Sequence, residues 1–166
     1  MTASDTEAPL GRRADLFDSV EPSGISSMLH ALLRESALAG DAAGRDRVGA
    51  IIARHGDLLE SAGLEMAWWL DALSLYHGPQ YDVVIAGDAA TTLRQAFWRL
   101  DPSFAVLATV PGEGPDDDQL ALLPGTRGKT ALYGAPAAYV CRFGACERPA
   151  IDAARLSAQL RGVWRH

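Results

Sequence analysis

The sequence predicts a mixed α+β or α/β fold, in which an N-terminal segment of about three helices packs on a small three-stranded, mainly parallel α/β unit. Before residue 80, apolar residues recur three and four positions apart, which is the spacing of one helix face. After residue 80, short continuous apolar runs flank a helical segment, which is typical of parallel strands covered on both faces. With 166 residues, 48% of them hydrophobic, the chain is long enough to form a full core.

The first half of the chain predicts an arm followed by helices. Residues 1–20 are polar and lack periodicity, so we expect a mobile N-terminal arm. The turn Glu21-Pro22-Ser23-Gly24 opens the helical segment, residues 21–79, and Ser23 is placed to cap the first helix. A second helix is predicted from about Arg45 to Ala62 and a third from about Leu64 to His77.

The third helix is apolar on nearly all sides. Met66 and Trp69 lie on one predicted face and Trp68 lies on another. A helix of this kind must be buried between layers or must meet a partner. Met66, Trp68 and Trp69 are therefore the candidate interface residues.

The second half, residues 80–166, predicts the small α/β unit. Two apolar runs, 83–85 and 104–107, flank a helix and form a strand-helix-strand crossover with parallel strands. A polar loop is predicted over 112–118, a third strand over 137–142 and a final helix from about Ile151 to Trp164.

The turn at Gly87 and Asp88 is the candidate ligand-binding edge of that sheet. It lies where a parallel strand meets the next helix, which is where α/β sheets usually bind ligands. The turn lacks the glycine-rich dinucleotide fingerprint, and Asp88 is also placed to cap the helix. Gly125–Thr130 ends in Gly-Lys-Thr, but Leu123 stands where a phosphate-binding loop needs glycine, so ATP is not expected.

Charge and composition exclude several classes of partner. A net charge of −6 and a pI near 5.1 argue against nucleic acid or an anionic membrane, since either requires a basic face. The sequence shows neither a leader nor a membrane-spanning run, so we expect a cytoplasmic protein. The four histidines are scattered, and we expect no metal and no cofactor.

The chain has two cysteines, Cys141 and Cys146, separated by four residues. This spacing is not that of a CxxC dithiol, and no second pair completes a four-ligand zinc site. Three roles stay open for them: small apolar packing groups, a redox-sensitive pair, or part of a shared metal site.

Glu21 and Ser23 are the candidate catalytic groups. They place an acid and a hydroxyl at the start of a helix, where backbone amides and the helix dipole favour anionic and hydroxyl-rich ligands. Helix capping by Ser23 is the alternative interpretation.

Three stretches of the sequence resemble one family: Asp15–Gly24, Tyr81–Asp88 and the cysteine-containing run Ala138–Pro149. Together they look like the C-terminal quarter of the thioredoxin-like-domain proteins that include spermatogenesis-associated protein 20. That family is similar to a thioredoxin-like domain fused to a toroid of paired helices, like the six-hairpin glycosidases and sugar 2-epimerases, and closed by a small α/β element. The resemblance implies that residues 24–78 are the last toroid helices and 80–166 the closing element.

This chain lacks the thioredoxin-like domain, and three helices cannot form a toroid. The leading hypothesis is therefore a stand-alone remnant of the family, more an interaction or subunit module than a catalyst, which pairs with itself or with a separately encoded chain. One alternative is a subunit of a split epimerase-like or glycosidase-like enzyme, in which Glu21 and Ser23 contact a carbohydrate-like molecule. The other is a redox-sensing module that uses Cys141 and Cys146.

Overall fold

The computed structural model describes residues 15–78, 80–100, 102–142 and 145–163. The chain divides into two compact units. The helical unit comprises the chain up to Leu33 together with Ala43–His77, and the sheet unit comprises Arg34–Ala42 together with the chain from Gly78 onward. Residues 1–14, which are most of the predicted arm, lie outside the described residues.

Helices α1 (Gly24–Ala39), α2 (Ala42–Arg54), α3 (Gly56–Ala62) and α4 (Ala67–His77) occupy the first half, with a 3₁₀ turn at Gly63–Met66 before α4. The predicted second helix is interrupted at His55, whose ring Nδ1 lies 2.9 Å from the carbonyl oxygen of Ile51. The apolar faces of these helices form the core of the helical unit, which includes Leu29, Leu33, Val48, Ile52, Met66, Trp69 and Ala72.

The sheet unit contains strands β1 (Tyr81–Ala86), β2 (Ala105–Val110), β3 (Ala137–Arg142) and β4 (Ala145–Cys146), in the order β2-β1-β3-β4. Helix α5 (Thr91–Leu100) connects β1 to β2, and these two strands are parallel as predicted. The remaining α-helices of the described chain are α6 (Asp117–Leu122) and α7 (Ala153–Val163), and a 3₁₀ turn lies at Pro124–Thr126. The mixed fold of helices and a small sheet is confirmed.

The sheet itself differs from the predicted three-stranded, mainly parallel one. A fourth strand is present, and both β1–β3 and β3–β4 are antiparallel. The physical reason lies in the connections. Two residues separate β3 from β4, a length that only an antiparallel hairpin allows. The segment 111–136 before β3 is long enough for either direction, so the path of that segment decides that β3 runs antiparallel to β1.

The two faces of the sheet have different cores. Helices α5 and α7 cover one face, where Val83 and Ile85 pack with Phe97, Leu156 and Leu160. The other face carries Val84, Ala86, Ala108, Val110, Ala137, Tyr139 and Cys141, with Leu38, Leu123 and Leu132 packed against it. Within the described chain, no helix combines the length and the apolar character that crossing a membrane requires.

Candidate functional site

The candidate catalytic groups Glu21 and Ser23 have different surroundings. Glu21 is exposed, whereas Ser23 is buried at the start of α1. The Ser23 hydroxyl accepts a hydrogen bond from the Ser26 amide at 3.1 Å and donates to the Ser26 hydroxyl at 3.1 Å. Ser23 is thus placed as a helix cap.

Asp18 organises this corner of the helical unit. Its Oδ1 accepts hydrogen bonds from the Ser23 amide at 2.8 Å and the Ser26 hydroxyl at 2.7 Å, and its Oδ2 accepts one from the Trp68 amide at 2.8 Å. Burial acts to raise the pKa of Asp18, but these hydrogen bonds outweigh it and hold the pKa below the ordinary 3.8. The cluster joins the segment before α1 to the start of α4.

The three candidate interface residues differ in their burial. Met66 and Trp69 are fully buried, and the Trp69 indole nitrogen donates to the carbonyl oxygen of Leu16 at 2.8 Å. Trp68 is 46% exposed, and its ring lies edge-on to His30 with the ring centroids 5.3 Å apart. This chain alone therefore buries two of the three residues.

Gly87 and Asp88 lie at the end of β1, as the sequence predicts, but another loop packs against the glycine. Gly87 has φ +124°, and a Cβ placed on it would lie 2.9 Å from the Cα of Pro136. Asp88 is exposed in the turn before α5. The segment that leads into β3 thus covers this part of the predicted ligand edge.

Cys141 and Cys146 form a disulfide between β3 and β4, where they are directly paired across the strands. Their surroundings are unequal. Cys141 is 5% exposed and belongs to the core beneath the sheet, whereas Cys146 is exposed on the edge strand. Cys146 is therefore the more accessible half of the disulfide.

Lys129 brings a positive charge to the exposed sulfur. Its ammonium nitrogen lies 3.1 Å from the Cys146 Sγ, within hydrogen-bonding range, and 5.3 Å from the centre of the Tyr139 ring. The Tyr139 hydroxyl donates to the carbonyl oxygen of Thr130 at 2.7 Å, and the Lys129 amide donates to that of Thr126 at 3.1 Å. These contacts hold the lysine backbone on both sides.

Asp82 lies on the same face of the sheet as Cys141. It is the direct cross-strand partner of Cys141, and its other neighbour across the sheet is Val106 of β2. Burial raises the pKa of the Asp82 carboxyl above its ordinary 3.8.

The sequence pattern indicates the two cysteines as candidate functional residues but not Lys129 or Asp82. A signal existed for each. Lys129 is the single lysine of the chain, and Asp82 is a lone charge within the apolar strand Tyr81–Ala86. Neither signal could locate the residue beside a cysteine, because both contacts join segments distant in sequence.

No protein-family model, curated protein or solved structure matches this chain. Its resemblance to the thioredoxin-like-domain proteins that include spermatogenesis-associated protein 20 therefore stays a prediction.

Proposed function

We propose that this protein is a thiol-disulfide switch, in which Cys141 and Cys146 alternate between the disulfide and two free thiols. The observation that carries the proposal is the Lys129 ammonium on the exposed Cys146 sulfur, 3.1 Å away. A neighbouring ammonium stabilises a thiolate, and the thiolate is the reactive form of cysteine. In the reduced protein Cys146 is then the nucleophile.

The unequal burial of the two sulfurs sets the order of the exchange. An incoming thiolate attacks Cys146 Sγ, the disulfide bond breaks, and Cys141 leaves as a thiolate that takes up a proton. A second thiol of the reductant then attacks the mixed disulfide and releases Cys146. The reductant loses two electrons and becomes a disulfide, and the protein gains them as two thiols.

The size of the ring supports a switch over a structural staple. The two cysteines are five positions apart in the sequence. A disulfide stabilises mainly by restricting the unfolded chain, and a ring this small is worth about 2 kcal/mol, near the lower end of the usual range. Because the bond joins a two-residue edge strand to β3, breaking it acts first on that edge.

The test is a redox titration in thiol buffers, with free thiols counted at each potential. We expect full and reversible conversion between zero and two thiols in the folded protein. In the reduced protein, Lys129→Met should slow alkylation of Cys146 at pH 7 by about tenfold, the effect of moving thiolate formation by roughly one pH unit. Lys129→Arg should restore most of the rate, and Arg127→Gln, which removes an exposed charge from the same turn, should not change it.

Two results would contradict the switch. One is a native disulfide that dithiothreitol cannot reduce, and the other is an alkylation rate that Lys129→Met leaves unchanged. Circular dichroism of each reduced variant separates a loss of reactivity from a loss of fold.

A second candidate function, an interaction or subunit module, is favoured by a groove in the helical unit. This groove of about 510 Å³ lies among α2, α3 and α4, and its apolar lining includes Ile52, Leu59, Leu70, Leu73 and Tyr76. A groove of this composition is typical of surfaces that bind another chain. Sedimentation of the protein with and without Leu73→Glu tests it: an oligomer that the variant dissociates would support the module, and a monomer in both cases would count against self-association.

A further inference from the structure

Asp82 lies directly across from the buried cysteine of the proposed switch, on the neighbouring strand. In an antiparallel pair, side chains directly opposite each other share one face of the sheet, with their Cβ atoms about 4.5–5.5 Å apart. The register pairs Asp82 with Cys141, and the next pair on that face joins Val84 with Tyr139. Asp82 and Cys141 are therefore neighbours on that face, and Cys141 carries the sulfur that the switch must release and recapture.

The surroundings of Asp82 are largely apolar. It lines a small cavity of about 20 Å³ with Leu38, Val84, Val106 and Thr126. Such surroundings disfavour a charged carboxylate, which is why burial raises the pKa of Asp82. A carboxyl of this kind can hold a proton and release it nearer to neutral pH than an exposed aspartate can.

Strand β3 and helix α1 bring ionisable groups to the surroundings of Asp82. Strand β3 brings Cys141 and Tyr139, and beyond it lie Cys146 and Lys129. Helix α1 brings Arg34, which lines a neighbouring cavity with Val106. Strand β2 and the turn Pro124–Thr126 contribute uncharged side chains to the Asp82 cavity: Val106, Ala108 and Thr126.

We propose that Asp82 is the group that gives a proton to Cys141 when the disulfide opens and takes it back when the disulfide closes. This inference rests on the proposed switch. During reduction, the departing Cys141 thiolate accepts the proton of the Asp82 carboxyl, which becomes a carboxylate. During oxidation, the Cys146 thiolate first attacks a disulfide reagent, which forms the mixed disulfide and releases one thiolate. The Asp82 carboxylate then removes the Cys141 proton, and the Cys141 thiolate attacks the Cys146 sulfur and expels the second thiolate, so that the reagent is reduced to two thiolates.

The first experiment measures the coupling of Asp82 and Cys141 without any redox step. Cys146→Ser leaves Cys141 as the sole thiol, and its thiolate is followed by ultraviolet absorbance as pH rises. A nearby carboxylate disfavours a thiolate, so Asp82→Asn in this background should lower the midpoint of thiolate formation by on the order of one pH unit. Asp82→Glu keeps a carboxyl, so the pH midpoint of thiolate formation should stay close to that of the protein with Asp82. This variant takes the place of Asp82→Asn if the asparagine variant does not fold.

The matched control is Glu147→Gln, which removes an exposed carboxylate next to Cys146. Water screens that charge, so the Cys141 midpoint should stay the same. An unchanged midpoint in Asp82→Asn, or an equal shift in Glu147→Gln, would overturn the role of Asp82.

The second experiment measures reduction of the native disulfide by dithiothreitol from pH 5 to 9, with each rate divided by the reagent's thiolate concentration. The corrected rate of the wild type should fall as pH rises, because protonated Asp82 becomes scarcer. Asp82→Asn should be slower by about tenfold at the low end and independent of pH, a modest effect for a positioned acid. Parallel profiles for the two proteins would refute the proton transfer, since a purely structural role would not alter their shape.

The two experiments separate the two proposals. If dithiothreitol cannot reduce the wild-type disulfide, the switch fails, while the single-thiol titration still decides whether Asp82 and Cys141 are coupled. If reduction proceeds normally but the titration shows no coupling, the switch stands and Asp82 has no part in it.

Discussion

Replacing Asp18 with asparagine should lower the free energy of unfolding of the helical unit by about 2 kcal/mol at neutral pH. Asparagine keeps an oxygen where Oδ1 receives the Ser23 amide and the Ser26 hydroxyl, but it presents an NH₂ group where Oδ2 receives the Trp68 amide. Hydrogen bonds to a charged acceptor are roughly twice as strong as neutral ones, and an amide left unpaired costs about 1–3 kcal/mol. We take the middle of that range because the hydrogen bond between Trp68 and Asp18 lies at the surface.

The pH dependence of this loss follows from the lowered pKa of Asp18. The folded protein holds its carboxylate ionised below the ordinary pKa of 3.8. The carboxylate therefore contributes its full stability above pH 3.8 and loses it as pH falls through the lower, folded-state pKa. The difference in unfolding free energy between wild type and Asp18→Asn should accordingly be largest at neutral pH and should shrink in acid.

The assay is urea unfolding at pH 7 and at several acidic values, followed by tryptophan fluorescence. The buried Trp69 indole, bonded to the Leu16 carbonyl, lies close to the Asp18 cluster and reports on it. Asp15→Asn, which removes an exposed carboxylate from the same segment, is the control and should change stability by less than about 0.5 kcal/mol. A loss that is the same at pH 7 and in acid would refute the role given to the Asp18 charge.

Three further predictions concern the sheet unit. Gly87→Ala should lower the free energy of unfolding by about 2–3 kcal/mol, because its Cβ meets the backbone of Pro136 at 2.9 Å and φ is +124°, and thermal unfolding of the oxidised protein measures it. Reducing the disulfide should lower the free energy of unfolding by about 2 kcal/mol, so the protein should unfold at a lower temperature when a reductant is present. The variant with both Cys141 and Cys146 replaced by serine should unfold at the same temperature with and without the reductant. Asp82→Asn should stabilise the protein at pH 7 but not at pH 3. The wild type loses stability as pH rises from 3.8 through the raised folded-state pKa of Asp82, and asparagine has no charge to bury. Equal effects at both pH values would contradict this prediction.

Local patterns predicted much of this fold because they act over a few residues. The apolar spacing that indicates α1 and the runs that form β1 and β2 depend on neighbours in the chain, and the structure has helices and parallel strands there. The direction of β3 could not be obtained in that way. It depends on the path of residues 111–136, which carry turn-forming residues but no pattern that reveals where the chain returns.

The candidate site was predictable only in part for the same reason. Cysteine is a rare residue with distinctive chemistry, so Cys141 and Cys146 drew attention, but a five-position separation alone does not reveal a hairpin register. The link between Lys129 and Cys146 spans 17 positions, and the pairing of Asp82 with Cys141 spans most of the sheet unit. Contacts of this kind arise from tertiary packing, which single-sequence patterns do not encode.

The solitary lysine at the disulfide has a practical consequence. Lys129 is the single lysine of the chain, so an amine-directed reagent has one side-chain target, and that target touches Cys146. Acylating it would remove the positive charge from the sulfur without altering either cysteine. Acylation of this one side chain would thus be a chemical means to test the charge beside the sulfur in the unmutated protein.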